Sequence, residues 1–244
     1  MNDSMNDTTI ALVTGANRGI GREVVARLAG LGMTVLLGAR DPGRGAAAAV
    51  EIDGDVHPVT LDVTDPATIE AAAKLVEERY GRLDVLVNNA AITGDSWAPP
   101  SATDLDVMHR VFEVNVYGVM RVTNALLPLL RRSAAPRVVN TSSSVGSLTA
   151  MADPEGPFAA MPPTVPYTCS KTTLNAVTVQ YAKQLRDTGV LVNLACPGYV
   201  ATDLNRHQGF RTVAQGATIV VELATLPDDG PTGTFRDDDG PIAW

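Results

Sequence analysis

Ile10-Ala11-Leu12-Val13-Thr14-Gly15-Ala16-Asn17-Arg18-Gly19-Ile20-Gly21 decides the fold of this 244-residue chain. Four apolar residues in a row read as a strand covered on both faces, because a half-exposed strand would alternate apolar and polar positions. Glycines at the spacing Gly-x-x-x-Gly-x-Gly follow, and a helical pattern starts at Gly19. A glycine-rich turn between strand and helix lets backbone N–H groups converge on a pyrophosphate at the helix N-terminus. Gly15, Asn17, Arg18, Gly19, Ile20 and Gly21 are therefore candidate cofactor contacts. The spacing departs from the commoner Gly-x-Gly-x-x-Gly, so the strand and helix context carries the reading as much as the glycines do.

The same strand-then-helix rhythm repeats outward from this loop. Short runs rich in Val, Ile and Leu occur at Ile10–Thr14, Thr34–Ala39, Val56–Leu61, Val85–Asn88, Arg137–Thr141 and Val190–Ala195, with a last short one near Thr232–Phe235. Helical segments lie between them, among them Gly19–Ala29, Pro66–Tyr80, Asp104–Leu130, Pro166–Leu185 and Thr212–Thr225. This alternation predicts an α/β fold: a Rossmann-type doubly wound parallel sheet of about seven strands flanked by helices. No linker or internal repeat divides the chain, so one domain is expected over residues 9–244, after a loose polar tail at 1–8. Two breaker-rich stretches, Leu148–Pro166 and Pro227–Gly240, read as surface loops.

Composition narrows the function classes. A formal net charge of −8 disfavours a nucleic-acid backbone or an anionic membrane as partner. It also makes individual arginines informative, since an anionic ligand needs local positive charge. Cys169 and Cys196 are too few for a disulfide framework and lack metal-site spacing. The start of the chain lacks the features of a secretory signal, and no apolar run reaches membrane-spanning length. A reduced, cytoplasmic setting is expected. His57, His109 and His207 are scattered and read as surface or packing residues rather than metal ligands, and Asp237-Asp238-Asp239 reads as a solvated turn.

The second strand ends at Gly38-Ala39-Arg40. An acidic residue at that point would accept hydrogen bonds from the adenosine ribose, whereas an arginine can clamp a 2′-phosphate through charge-assisted hydrogen bonds. Arg18 could approach the same phosphate from the glycine loop. NADP(H) is therefore the expected cofactor in preference to NAD(H).

Further along, Tyr167 and Lys171 stand four residues apart in a helical segment, and so on one helix face. A free phenol titrates near pH ~10, and a fixed cation nearby favours the phenolate, bringing the group toward acid/base use. Tyr-x-x-x-Lys alone is a weak pattern; the glycine loop before it supplies its context.

Taken together, these motifs make the chain resemble the classical short-chain dehydrogenases/reductases from about Thr9 to the C-terminus. The motifs are Thr14–Gly21, Asp62-Val63, Asn88-Asn89-Ala90-Ala91, Asn115, Asn140-Thr141-Ser142-Ser143, Tyr167-x-x-x-Lys171, and Pro197-Gly198 with Thr202-Asp203, all in family order. The resemblance implies that Tyr167 donates a proton to a carbonyl oxygen, that Ser143 holds that oxygen, that Lys171 contacts the nicotinamide ribose and lowers the proton affinity of Tyr167, and that Asn115 places a relay water; Tyr167 and Lys171 thereby count among the cofactor contacts as well. Among the three consecutive serines, Ser142 to Ser144, the family pattern selects Ser143. It also implies adenine contacts from Asp62 and Val63, although Asp62 could be a turn or cap carboxylate. Asn89, Ala90 and Ala91 would lie beside the adenosine ribose. Pro197, Gly198, Val200 and Thr202 would meet the nicotinamide end, and Thr202 could equally cap a short helix. Ala91 stands where the family has glycine. The stretch from Ser143 to Tyr167 is longer than usual and resembles the carbonyl-reductase branch, as do Ala39-Arg40-Asp41 and Cys196–Asp203.

The expected activity is NADPH-dependent reduction of a small, hydrophobic ketone or aldehyde. The alternatives are a non-catalytic NADP(H)-sensing or interaction module and an alcohol dehydrogenase working oxidatively. Trp97, Phe158, Met161, Tyr199, Phe210 and Trp244 are the large side chains near expected loops and are candidate pocket residues. The chain is expected to be a monomer or a homodimer.

Overall fold

The computed structural model describes residues 8–94 and 98–244. In chain order the elements are β1 (Ile10–Val13), α1 (Gly19–Gly30), β2 (Thr34–Ala39), α2 (Pro42–Val50), β3 (Val56–Thr60), α3 (Pro66–Tyr80), β4 (Val85–Asn88), α4 (Leu105–Phe112), α5 (Val119–Leu130), β5 (Arg137–Thr141), α6 (Leu148–Ala152), α7 (Val165–Gln184), β6 (Leu191–Ala195), α8 (Val213–Ala224), β7 (Phe235–Asp237) and β8 (Gly240–Pro241). The strands form one sheet in the order β3-β2-β1-β4-β5-β6-β7-β8. All neighbours run parallel except β7 and β8, which pair antiparallel. The sheet thus has eight strands rather than about seven, and the extra one is the two-residue β8.

The core explains the long apolar runs. Successive residues of β1 face opposite sides: Ile10 and Leu12 pack with α3, α5 and α7, while Ala11 and Val13 pack with α1, α2 and α8. With both faces covered, every position of β1, β2 and β4 is buried. Packing Leu12, Leu28, Leu36 and Leu86 away from water contributes about 2 kcal/mol per side chain.

The elements differ from the sequence reading at four places. Pro42–Val50 is a helix, α2, opened by Asp41, whose carboxylate accepts from the Arg44 N–H at 2.9 Å, and by Pro42 at its first position. The stretch Leu148–Pro166 begins with a helix, α6, because Ser147 caps it (Ala150 N–H to Ser147 Oγ, 3.0 Å) before the first proline at 154. Within Pro227–Gly240 the last strand, expected near Thr232–Phe235, is β7 at Phe235–Asp237, and β8 begins at Gly240. The long helix expected at Asp104–Leu130 is interrupted by a π-helical segment, Glu113–Gly118.

Candidate active site

The strand order reverses between β1 and β4, and the carboxyl ends of parallel strands open a crevice at such a point. A cavity of about 300 Å³ lies there. Its walls come from the loop after β1 (Gly15, Asn17, Arg18, Gly19, Ile20), from Arg40 and Asp41 after β2, from Leu61–Thr64 after β3 and from Asn89–Ile92 after β4. Arg44, Val114 and Thr202–Leu204 complete it. Of the expected cofactor residues, Gly21, Tyr167, Lys171, Pro197, Gly198 and Val200 do not line this groove. Gly21 backs it instead, since a Cβ there would stand 2.4 Å from Asn89 Nδ2.

Two loops are sewn together under the groove. Thr14 Oγ1 accepts from the N–H groups of Asn89 and Ala90 at 3.0 and 3.1 Å, and Asn89 Nδ2 donates to the Thr14 and Gly15 carbonyls. Gly15 has φ +63°, and a Cβ on it would lie 2.8 Å from Ala90 Cα, so only glycine permits this approach. Ala91 is not in the left-handed region, which is why alanine serves where the family has glycine. Asp62 Oδ1 accepts from the Thr64 N–H and hydroxyl at 2.9 and 2.7 Å, so this groove-lining residue also closes a turn. Thr202 precedes a 3₁₀ turn, Asp203–Asn205, and its N–H donates to Asn205 Oδ1.

The three arginines of the groove differ. Arg40 and Arg44 are exposed, and among the described residues neither forms an ion pair. Arg44 was not legible as a site residue without α2, which places it one helical turn beyond Arg40. Arg18, by contrast, pairs with Asp203 Oδ2 at 2.8 Å, across the groove and 185 residues away. His207 Nε2 contacts the other oxygen of Asp203 at 3.0 Å. Its bond with His207 and the positive charge of Arg18 hold the Asp203 carboxyl below the usual carboxylate range. Arg18 thus lines the groove and has a protein partner there in Asp203.

α7 carries Tyr167 and Lys171 on one face. Lys171 is buried and donates from Nζ to the Thr141 carbonyl at the end of β5, at 2.7 Å. The same Nζ sits 5.6 Å from the centre of the Tyr167 ring. Burial is the main influence on both groups. It pushes Tyr167 well above the usual phenol range, helped by Cys196, while a hydrogen bond with Ser143 acts in the opposite direction. Burial lowers Lys171 to about 8. In the protein alone Tyr167 thus moves in the direction opposite to the one expected from Lys171, because burial disfavours the phenolate.

Asn115 sits inside the π-helical segment, completely buried. Such segments often mark functional positions. Its Nδ2 donates to the Ile92 carbonyl (2.9 Å) and Ser170 Oγ (3.0 Å), and its Oδ1 accepts from the Ile92 N–H (2.9 Å). Both amide hydrogens are in use, and Asn115 fastens the Ile92 end of the groove to the helix of Tyr167 and Lys171. A buried polar ladder supports this end of the sheet: Asn88 Nδ2 donates to Asn140 Oδ1, and Asn140 Nδ2 to Thr178 Oγ1, both at 2.8 Å.

Residues 9–210 match the short chain dehydrogenase family model. This chain belongs to that family. Salutaridine reductase of Papaver bracteatum is 34% identical over 297 aligned positions, covering 93% of each chain. (+)-Neomenthol dehydrogenase of Capsicum annuum is 30% identical over 96% of this chain and 97% of its own. Among solved structures, NADPH-bound carbonyl reductase from chicken fatty liver superposes with a TM-score of 0.83 at 29% identity, covering 97% of this chain and 99% of that one. The protein is thus a short-chain dehydrogenase by sequence and by fold, an oxidoreductase with a Rossmann-type sheet.

The candidate pocket residues of this short-chain dehydrogenase separate. Tyr199 and Phe210 meet edge to face, with ring centres 6.0 Å apart, on the loop after β6. Trp244 packs on Phe235 at 5.8 Å, and its carbonyl accepts from the Thr149 N–H of α6. Phe158 and Met161 are half-buried between α6 and α7, and Trp97 lies outside the described residues. None of the five described residues lines the groove itself. The alignment with salutaridine reductase is longer than this 244-residue chain, so that relative carries insertions which this chain lacks. Among the described residues no group of three or more His, Cys, Asp or Glu could hold a metal. No helix among them is long and apolar enough to cross a membrane.

Proposed function

We propose that this protein is an NADPH-dependent carbonyl reductase acting on a small hydrophobic ketone or aldehyde, with both sites in one domain over residues 9–244. The observation that carries the proposal is a half-buried phenol, Tyr167, hydrogen-bonded to Ser143 and with the Lys171 ammonium 5.6 Å from its ring centre. The groove suits NADP(H): Gly15 lets the loop after β1 close on Ala90 to form its floor, and Arg40 and Arg44, without ion pairs among the described residues, stand where a 2′-phosphate would need them. When bound, NADPH supplies the hydride that reaches the carbonyl carbon.

The residues of the chain do the rest. Tyr167 gives its proton to the carbonyl oxygen, so that one hydride and one proton together convert the carbonyl to an alcohol. Ser143 donates a hydrogen bond to the same oxygen and holds it in line with the phenol. Lys171 stabilises the phenolate left after transfer, a role that begins only once charge develops. Asn115 keeps Ile92 and Ser170 in register, and one lone pair of its Oδ1 remains to hold a relay water. A reducing, cytoplasmic setting suits the two free cysteines.

Tyr167→Phe tests the proposal. The variant should bind NADPH as the native protein does, followed by cofactor fluorescence, yet lose nearly all reduction across a panel of aryl ketones, keto esters and quinones. Reduction unchanged by the substitution would reject this function.

A further inference from the structure

Asn175 lies on α7 one turn beyond Lys171 and is buried. Its carboxamide makes two bonds of opposite sense. Oδ1 accepts from Ser142 Oγ at 2.6 Å, and Nδ2 donates to the Gly146 carbonyl at 3.2 Å. Ser142 immediately precedes Ser143, and Gly146 closes the 3₁₀ turn that follows, its N–H bonded to the Ser143 carbonyl at 2.8 Å. One side chain therefore grips the Ser143 segment from both ends and fixes it to the helix that carries Tyr167. Gly146 presses on that helix so closely that a Cβ would stand 2.9 Å from the Lys171 carbonyl carbon. The Ser144 N–H is held by Cys196 Sγ at 3.2 Å, which leaves the Ser143 hydroxyl as the polar group of this turn facing the phenol.

We infer that Asn175, acting with Ser142, is a positioning residue that sets the Ser143 hydroxyl against Tyr167. The inference rests on the proposed carbonyl reduction. Eight residues of helix separate Asn175 from Tyr167, roughly 12 Å, so Asn175 touches no reacting atom and acts only through Ser143. The need for an acceptor and a donor on one planar group explains the amide: a carboxylate would lose the Gly146 bond, and an apolar side chain would lose both.

The experiment is a double-mutant cycle on kcat at saturating NADPH, with Asn175→Ala, Ser143→Ala and the pair. Ser143→Ala should lower kcat by roughly 10²–10³-fold, as the loss of an oxyanion donor does. Asn175→Ala alone should lower it about tenfold, since small displacements of reacting groups are costly. Its dissociation constant for NADPH should stay within about twofold, because the groove is untouched. In the Ser143→Ala background, Asn175→Ala should cost less than about twofold more, because the group it positions is gone. Equal losses in both backgrounds, or a loss confined to NADPH affinity, would overturn the inference. Should Asn175→Ala not fold, Ser142→Ala removes a single hydroxyl from the same network and reads the same cycle. Carbonyl reduction that survives Tyr167→Phe removes the proposed function and this inference with it, whereas additivity in the cycle removes the inference alone.

Discussion

Replacing Lys171 with methionine should make the protein more stable at neutral pH while abolishing its activity. Lys171 is buried, and its ammonium group titrates at about 8 against an ordinary 10.5. That difference corresponds to about 3 kcal/mol by which burial of the charge opposes folding below pH 8. Methionine fills a similar unbranched volume without the charge. Against this gain stands the lost bond to the Thr141 carbonyl, which costs about 1–2 kcal/mol. The net expectation is a gain of about 1–2 kcal/mol at pH 7, or roughly 2–8 °C in Tm for a chain of this size. The sign of the pH dependence follows from linkage. Because the folded-state value is depressed, the native protein binds fewer protons than the unfolded chain between about 8 and 10.5, so wild-type stability rises with pH across that window. The variant lacks this contribution, and its advantage should shrink from pH 8 upward. Denaturant melts of both proteins at pH 7, 8 and 9.5 would measure the difference and cancel all shared titrations. A variant less stable than wild type at pH 7, by an amount independent of pH, would refute the buried-charge argument.

Other perturbations probe the remaining parts of the site. Carbonyl reduction should decline on the alkaline side with a midpoint near about 8, as Lys171 loses its proton, and Lys171→Arg should remove that limb from the pH–rate profile. Tyr167, whose proton affinity is raised, should add no limb of its own below that range. Arg40→Ala and Arg44→Ala should each raise KM for NADPH by about 10–100-fold and leave NADH within about twofold, the loss expected for a charge-assisted hydrogen bond. Arg18→Ala should weaken both cofactors alike, because its partner is Asp203. At Gly209 an added Cβ would fall 2.2 Å from the Val200 carbonyl carbon and 2.4 Å from the Ala201 nitrogen, both backbone. Gly209→Ala should therefore lower Tm by about 2–10 °C, as overpacking does, and expose the loop after β6 to limited proteolysis; an unchanged Tm would show that the loop yields freely.

Much of the architecture was legible because burial on both faces leaves a strong trace. Thr34–Ala39 carries no polar side chain after Thr34, and its bounds in the structure are those read from the sequence. β7 left a faint trace, read near Thr232–Phe235, and β8 none: Phe235-Arg236-Asp237 has one buried apolar residue, and the pairing rests on backbone bonds such as Ile242 N–H to the Phe235 carbonyl. α2 escaped notice because Pro-Gly at its start resembles a turn, although Asp41 before Pro42 is itself a helix-start signature. The glycine loop and the Tyr167–Lys171 pair were readable from local spacing. What was not readable is contact between distant segments. Nothing near Arg18 announces Asp203, and nothing near Ser142 announces Asn175. The direction of the Tyr167 shift was hidden for a similar reason, since it depends on how tightly several segments close around the phenol rather than on its neighbour four residues away.

The Arg18–Asp203 pair bears on how the two walls of the groove are held. Both partners are substantially exposed, at 62% and 47%, so the bridge contributes less than about 1 kcal/mol and is weakened by salt. Yet it joins the opposite walls of the groove, and its far anchor belongs to the loop that also carries Tyr199 and Phe210. A bridge so weak cannot lock the two walls by itself, so raising the ionic strength should leave the loop after β6 freer of the glycine loop, and a rate of proteolysis in that loop that does not change with salt would show that its other contacts hold it.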